Sequence, residues 1–252
     1  MTRGILTLVA VRLNSFRLPR KAFADLGGKP LIQQLTERLL GAKIPDRVIW
    51  CTSTRKDDDP LARLAQKLDI DCFRGSEKDV MSRFVEVATK YEATTIARIT
   101  GDNPLTDPIM IDRMLEAHIS ESAEYSFTTD LPVGTRPEIM DVEMLRRCHD
   151  LLLDPDASEY MTWMVNRPRF FKTLKVDAYS RMVARPELNL TIDTQSDLEV
   201  VAEIYSAFNG SPPNLAKVID WLDAHAEIYS KATRVRERII ERDAINYKMR
   251  SG

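Results

Sequence analysis

Histidine, cysteine and glycine are scarce in this 252-residue chain, and each scarcity excludes a kind of chemistry. The three histidines, His118, His149 and His225, form no HExxH pair, and no GxSxG elbow is present. A histidine-rich metal site and a Ser-His-Asp hydrolase are both disfavoured on that ground. Cys51, Cys72 and Cys148 are scattered and never paired as CxxC, which points to buried or free thiols in a reducing cytoplasm. The nine glycines build neither GxGxxG nor GxxxxGK[ST], so neither phosphate-cradling fingerprint is available. No apolar run nears the roughly 18 residues needed to cross a bilayer. The run 5–11 ends in Arg12 with no small-residue cleavage site, so a core strand is expected there rather than a signal peptide. With 36 basic and 38 acidic side chains the net charge is −2, and no global pull toward nucleic acid or a membrane follows.

What is present is strand–helix alternation. Short apolar runs at 5–11, 48–52, 70–73 and 95–99 read as strands. Helical spacing at 31–40, 60–68, 80–91 and on to His118 fills the gaps. The acidic run Asp57–Asp59 suits the positive end of the helix that follows it. The second half reads less regularly: strands at 125–129, 170–176 and 188–192, and helices at 142–153, 158–166, 196–208, 215–225 and 228–246. The fold expected is α/β, a three-layer αβα arrangement around a mainly parallel, mixed sheet. Residues 1–209 would form the main domain and 210–252 a C-terminal helical extension, whose basic residues read as a solvated face or a partner contact. Ligands in such sheets lie beyond the carboxyl ends of strands, so the loops after Val11, Thr52, Phe73 and Ile99 carry the candidates.

Three segments carry candidate chemistry, two of them in these loops and one after the run 188–192. Arg12, Arg17, Arg20 and Lys21 crowd the loop after the first strand, with Asn14 and Ser15 between them and no acid before Asp25. Such a run is either a solvated face or an anion site suited to a triphosphate. Asp102 follows an apolar strand in a Gly-containing turn that Pro104 stops, either capping its own backbone or facing a ligand. Asp193 ends the run 188–192, and Asp193-Thr194-x-x-Asp197 also reads as a helix cap. If the segments bearing Asp102 and Asp193 are neighbours, two carboxylates face the basic loop across one cleft, a donor set suited to Mg²⁺ and nucleotide phosphates. Gly27-Gly28-Lys29-Pro30 reads as a turn into the next helix.

In collinear order, the chain carries Arg12-x-x-Ser15-x-Arg17-Leu-Pro19-x-Lys21, Asp25-Leu-Gly-Gly-Lys-Pro-Leu31, Asp58-Asp59-Pro60-Leu61, Phe73-Arg-Gly-Ser-Glu77, Asp79-Val80, Arg83-Phe84, Arg98-Ile-Thr-Gly-Asp-x-Pro-Leu105, Asp107-Pro108, Asp141-Val-Glu143 and Leu190-Thr-Ile-Asp-Thr194. This series resembles the sugar-acid cytidylyltransferases, in particular the branch of spore-coat polysaccharide biosynthesis protein F. It is similar, more distantly, to the 3-deoxy-manno-octulosonate and acylneuraminate cytidylyltransferases. The resemblance implies a Rossmann-like, glycosyltransferase-A-like nucleotidyltransferase, usually a homodimer in the cytoplasm. It would use CTP, a small-molecule acceptor and Mg²⁺, with Mn²⁺ as a substitute, and neither nucleic acid nor membrane. It implies catalytic roles for Arg12, Lys21 and Asp102, and a metal held by Asp102 and Asp193. Asn14, Ser15, Arg17, Arg74, Gly75, Ser76, Arg98, Thr100 and Gly101 would line the nucleotide, and Asp141 and Glu143 the acceptor.

Three departures stand out, one of them Asn14, where the family has Gly or a similar small residue. The family's Leu-Pro-Gly-Lys is Leu-Pro-Arg20-Lys here, which costs about 1 kcal/mol or more if the position needs a positive φ. Ile139-Met140 replaces Gly-Leu before Asp141, where the acceptor is expected. A nucleotide-sugar glycosyltransferase remains the alternative enzyme, with Asp57-Asp58-Asp59 or Asp69-Ile-Asp71 as its DxD element. A non-catalytic nucleotide-binding homologue is the alternative outside enzymes.

Overall fold

The computed structural model describes residues 4–233; the basic side chains from Arg234 onward, and most of the helix expected at 228–246, lie outside the described residues. The first half follows the expected alternation. Strand β1 (Gly4–Ala10) leads through a two-stranded hairpin, β2 (Asp25–Leu26) and β3 (Lys29–Pro30), into helix α1 (Leu31–Leu39). Then come β4 (Arg47–Ser53), α2 (Asp59–Lys67), β5 (Asp71–Gly75), α3 (Val80–Lys90), β6 (Ala93–Thr100) and α4 (Pro108–Ser120). The second half holds β7 (Tyr125–Phe127), β8 (Glu138–Asp141), α5 (Val142–Leu151), α6 (Met161–Val165), β9 (Thr173–Lys175), α7 (Gln195–Ala207), α8 (Leu215–Asp223) and α9 (Ala226–Ala232).

Seven strands form one sheet in the order β5-β4-β1-β6-β8-β7-β9. β5, β4, β1 and β6 pair in parallel, while β8 runs against both β6 and β7. The chain winds outward from β1 to β5 and then returns to the other side of β1 at β6. The loops after β1 and β6 therefore part at a topological switch point, where open α/β sheets bind ligands. Side chains alternate across the sheet into two cores. Ile5, Val9, Trp50, Ala97 and Ile99 face α1, α4, α7, α8 and α9, whereas Leu6, Leu8, Ile49, Cys51 and Ile96 face α3, α5 and α6. Helices α8 and α9 bury Leu215, Val218, Ile219, Leu222 and Ile228 in the same core as α1.

Local chemistry explains the helix starts. Asp79, Asp107, Asp141 and Asn214 each accept a backbone N–H from the first turn of α3, α4, α5 and α8, and Thr194 with Asp197 forms a reciprocal capping box on α7. Gly27 and Gly28 take positive φ in the hairpin, and a Cβ on Gly27 would meet Gly210 Cα at 2.4 Å. The Gly27–Lys29 turn thus feeds α1 as expected. The three cysteines are free, and burial raises the thiol of each, Cys72 to about 11 and Cys148 to about 12.

Three elements differ from expectation. Residues 188–192 form no strand; Asn189 makes one isolated bridge to Val133, because β8 already occupies the free edge of β6. The segment is instead clamped by the turn at Gly134, whose φ of +89° and missing side chain let the backbones meet; a Cβ there would lie 2.3 Å from Thr191 N. Strand β8 was not expected, since its two apolar residues are adjacent and flanked by acids; Ile139 enters one core and Met140 the other. Residues 158–166 begin in a 3-10 turn (Pro155–Tyr160) and only α6 is α-helical.

Two outcomes follow. Arg20 does adopt a left-handed conformation, φ 57°, so Arg20→Gly should be more stable than Arg20→Ala by about 1 kcal/mol in urea unfolding, the reverse of the usual order. Buried His118 bonds Ser126, and burial lowers its pKa from 6.5 to about 4. Below 6.5 the unfolded chain takes up that proton first, so stability should fall from about pH 6.5 toward pH 4. His118→Gln should flatten that limb of the pH–stability curve.

Candidate active site

The loop after β1 is built to hold its shape. Val11 and Leu13 are buried, so the chain leaves the strand along the core. The Leu13 N–H donates to Asp58 Oδ1 at 2.8 Å, and its carbonyl accepts from both Ser15 and Arg20 N–H at 3.0 Å. That closes a short excursion exposing Asn14, Phe16, Arg17, Pro19 and Arg20, with Arg12 exposed just before it. Asp58 is 2% exposed and takes the Ser53 hydroxyl on its other oxygen. It therefore anchors the basic loop to the end of β4.

Lys21 points back from this loop into the cleft. Its ammonium has three donors, and each finds an oxygen: Asp102 Oδ2 at 2.7 Å, the Ile192 carbonyl at 2.8 Å and Asp193 Oδ1 at 3.1 Å. Arg17 reaches Asp193 Oδ1 from the solvent side at 2.9 Å. Asp102 and Asp193 thus converge on one cation, the Lys21 ammonium. Burial works to raise the Asp102 carboxyl, but Lys21 and Thr100 outweigh it and hold the group below its ordinary value.

Backbone contacts bring the two acids together. The Ile192 N–H donates to the Asp102 carbonyl at 2.9 Å, and the Thr191 hydroxyl donates to Asn103 Oδ1 at 2.7 Å. Gly101 lies against Val11 and Ala10, where a Cβ would come within 2.8 Å; its N–H donates to the Ala10 carbonyl. Asn103 donates to Thr100 Oγ1. In the capping box, Asp197 Oδ2 accepts the backbone N–H of both Asp193 and Thr194. The helix cap is made by Thr194 and Asp197, and Asp193 Oδ1 accepts from Lys21.

The donor set suits a divalent metal. Two carboxylates already share one cation with a carbonyl, without histidine or cysteine among those oxygens, which is chemistry for Mg²⁺ or Mn²⁺. The DxD alternatives do not offer this. Asp58 is spent on the loop, Asp57 and Asp59 pair with Arg55 and Arg74, and Asp71 pairs with Arg47 at the amino end of β5.

Other expected residues have partners of their own. Arg74 braces the turn after β4, donating to the Ser53 and Arg55 carbonyls and pairing with Asp59. Ser76 is exposed and accepts the Asp79 N–H. Gly75 leaves room for Arg83, whose Cγ would lie 2.7 Å from a Cβ there. Arg98 turns into the second core and pairs with Glu138, which also takes the Tyr125 hydroxyl. Asp141 and Glu143 are not at this edge. Asp141 pairs with Thr95 near the start of β6 and caps α5; Glu143 is exposed beside Arg146. The register of antiparallel β8 carries them away from the carboxyl end of β6 and leaves Glu138 nearer to it. Ile139 and Met140 are core residues, so that departure from the family pattern is a packing change. Lys21, expected in a polar loop, has a side chain only 13% exposed.

Sequence reading did not identify Asp58, Arg83 or Glu138 as parts of this region. Arg83 is buried, with Nε and Nη1 lacking partners among the described residues; burial, with Arg12 nearby, lowers its pKa. Asp58 read as helix-opening charge, and only its tertiary contact reveals the anchor.

A family model described as cytidylyltransferase matches residues 6–222. The spore coat polysaccharide biosynthesis protein SpsF of Bacillus subtilis is 31% identical over 214 residues, covering 82% of this chain and 89% of that one. A cytidylyltransferase structure from Leptospira borgpetersenii superposes with a TM-score of 0.82 at 24% identity, covering 94% and 98% of the two chains. The structure of CMP:2-keto-3-deoxy-manno-octonic acid synthetase complexed with CTP gives 0.63 at 18% identity, over 81% and 99%.

The anchor is testable. Asp58→Ala should cost about 1–3 kcal/mol of stability by stranding the Leu13 N–H and Ser53 hydroxyl. It should also raise KM for nucleotide, whereas Asp58→Asn, which retains an acceptor, should recover most of both. Urea unfolding and pyrophosphate-release kinetics read the two effects.

Proposed function

The chain belongs to the cytidylyltransferase family, and on that premise we propose that it transfers CMP from CTP to a sugar acid or related surface-polysaccharide precursor at the Lys21–Asp102–Asp193 cleft. The family is one of CTP-dependent nucleotidyltransferases that release pyrophosphate. The observation that carries the assignment of the site is the convergence of Lys21, Arg17, Asp102 and Asp193 at the switch point.

An acceptor oxygen attacks the α-phosphorus of CTP in line. The new bond joins that oxygen to phosphorus, the bond from the α-phosphorus to the bridging oxygen breaks, and pyrophosphate leaves with the electron pair. The acceptor's hydroxyl proton passes to water. Arg12, Arg17 and Lys21 would neutralise the triphosphate and the departing pyrophosphate. The buried anchor at Leu13 fixes their loop before substrate arrives, so positioning is supplied in advance. Asp102 and Asp193 would hold Mg²⁺ or Mn²⁺, which when bound shields phosphate charge and lowers the barrier to attack.

CTP should support pyrophosphate release, in a screen of sugar acids, sugar phosphates and phosphonates, better than ATP, GTP or UTP. Equal turnover with another nucleotide, or UDP release from UDP-sugars, would overturn the proposal. Asp102→Asn and Asp193→Asn should each lower turnover by roughly 10²–10³. The double variant should cost much less than the two losses combined, because the carboxylates act as a unit. Arg12→Ala should lower turnover on a similar scale.

A further inference from the structure

The contacts of Lys21 create a conflict. All three of its donors are used inside the cleft, so none remains for a phosphate while it stays there. Its nitrogen also occupies the space between the two carboxylates that a metal ion must enter, since ligand bonds to Mg²⁺ are only about 2.1 Å long. Lys21 and Arg17 together carry two positive charges against the two carboxylates. A dication approaching the ligand-free cleft therefore meets a neutralised site whose centre is filled.

We propose that Lys21 is an internal counter-cation that makes metal binding conditional on a triphosphate: the Asp102–Asp193 pair becomes a divalent-cation site only when Lys21, helped by Arg17, is drawn onto nucleotide phosphates. The inference rests on the nucleotidyl-transfer reading for the identity of the anion. The exchange is charge-balanced. One ammonium and one guanidinium leave the two carboxylates for the phosphates, and one dication takes their place. It has a structural purpose as well, because two carboxylates facing each other in a largely buried cleft without a cation would be costly. Lys21 keeps the two carboxylates paired and then becomes available to the substrate. Because coupling is reciprocal, the metal should tighten triphosphate binding by the factor by which the triphosphate tightens metal binding.

Arg17 gives the arrangement a graded control. Its side chain is 52% exposed, so truncating it removes part of the counter-charge without opening the core.

The test is Mn²⁺ binding to the full chain without nucleotide, read from loss of the free-ion electron paramagnetic resonance signal and from the metal-induced rise in melting temperature. Wild type should bind Mn²⁺ weakly and gain little thermal stability. Lys21→Met should take up one ion per chain at least about tenfold more tightly, with a clear rise in melting temperature. Arg17→Ala should bind a few-fold more tightly than wild type. Wild type that binds Mn²⁺ as tightly as Lys21→Met overturns the inference. If Lys21→Met is unfolded by circular dichroism even with Mn²⁺, Arg17→Ala decides, and an affinity equal to wild type counts against it. Pyrophosphate release from CTP is measured in parallel. Turnover with no difference in Mn²⁺ affinity retains the nucleotidyl-transfer reading and removes this inference, while the Mn²⁺ difference without CTP turnover does the opposite.

Discussion

One ammonium group joins the three segments that make the cleft. Lys21 from the loop after β1, Asp102 from the loop after β6 and the Ile192–Asp193 segment before α7 meet within hydrogen-bond distance of a single nitrogen. None of these segments is held there by the sheet ladder alone. Buried charge in such a place is tolerable only when it is paired and hydrogen-bonded, and the cluster satisfies that condition without a ligand. The same condition makes the site responsive, since whatever removes the lysine must replace its charge.

The rest of the fold supplies the rigidity that this cluster needs. The switch point sets the loops after β1 and β6 side by side. Asp58 fixes the first loop from beneath, and the Ile192–Asp102 backbone bond fixes the second against the 190–193 segment. Gly134 lets a neighbouring turn press on that segment where any side chain would clash. The left-handed Arg20, a strained position for a side chain, directly precedes Lys21 and turns it inward. Strain of this kind persists only where the surroundings determine it.

Much of this was legible in the sequence. The parallel half follows from apolar runs alternating with helical spacing, because each buried strand is short, apolar and bounded by polar turns. Asp102 and Asp193 could be placed together because each ends an apolar run, even though the second run proved to be an extended clamp and not a strand. The cost of Arg20 followed from the residue type alone. What could not be read was long-range. Asp58 looks like its acidic neighbours until Leu13 is seen against it. Asp141 and Glu143 fell to the wrong edge because the antiparallel register of β8 reverses which end of its strand faces the cleft. Arg98 sits two residues before the loop, but sheet alternation turns it into the second core and toward Glu138.

The central claim is that Lys21 and the two carboxylates are one site with two states. A crystal structure of the chain with CTP and Mn²⁺ tests it most directly. The account predicts Mn²⁺ bound by Asp102 and Asp193, with the Lys21 nitrogen moved onto the triphosphate. Lys21 still bridging the two carboxylates, with the triphosphate and metal bound elsewhere, would contradict it.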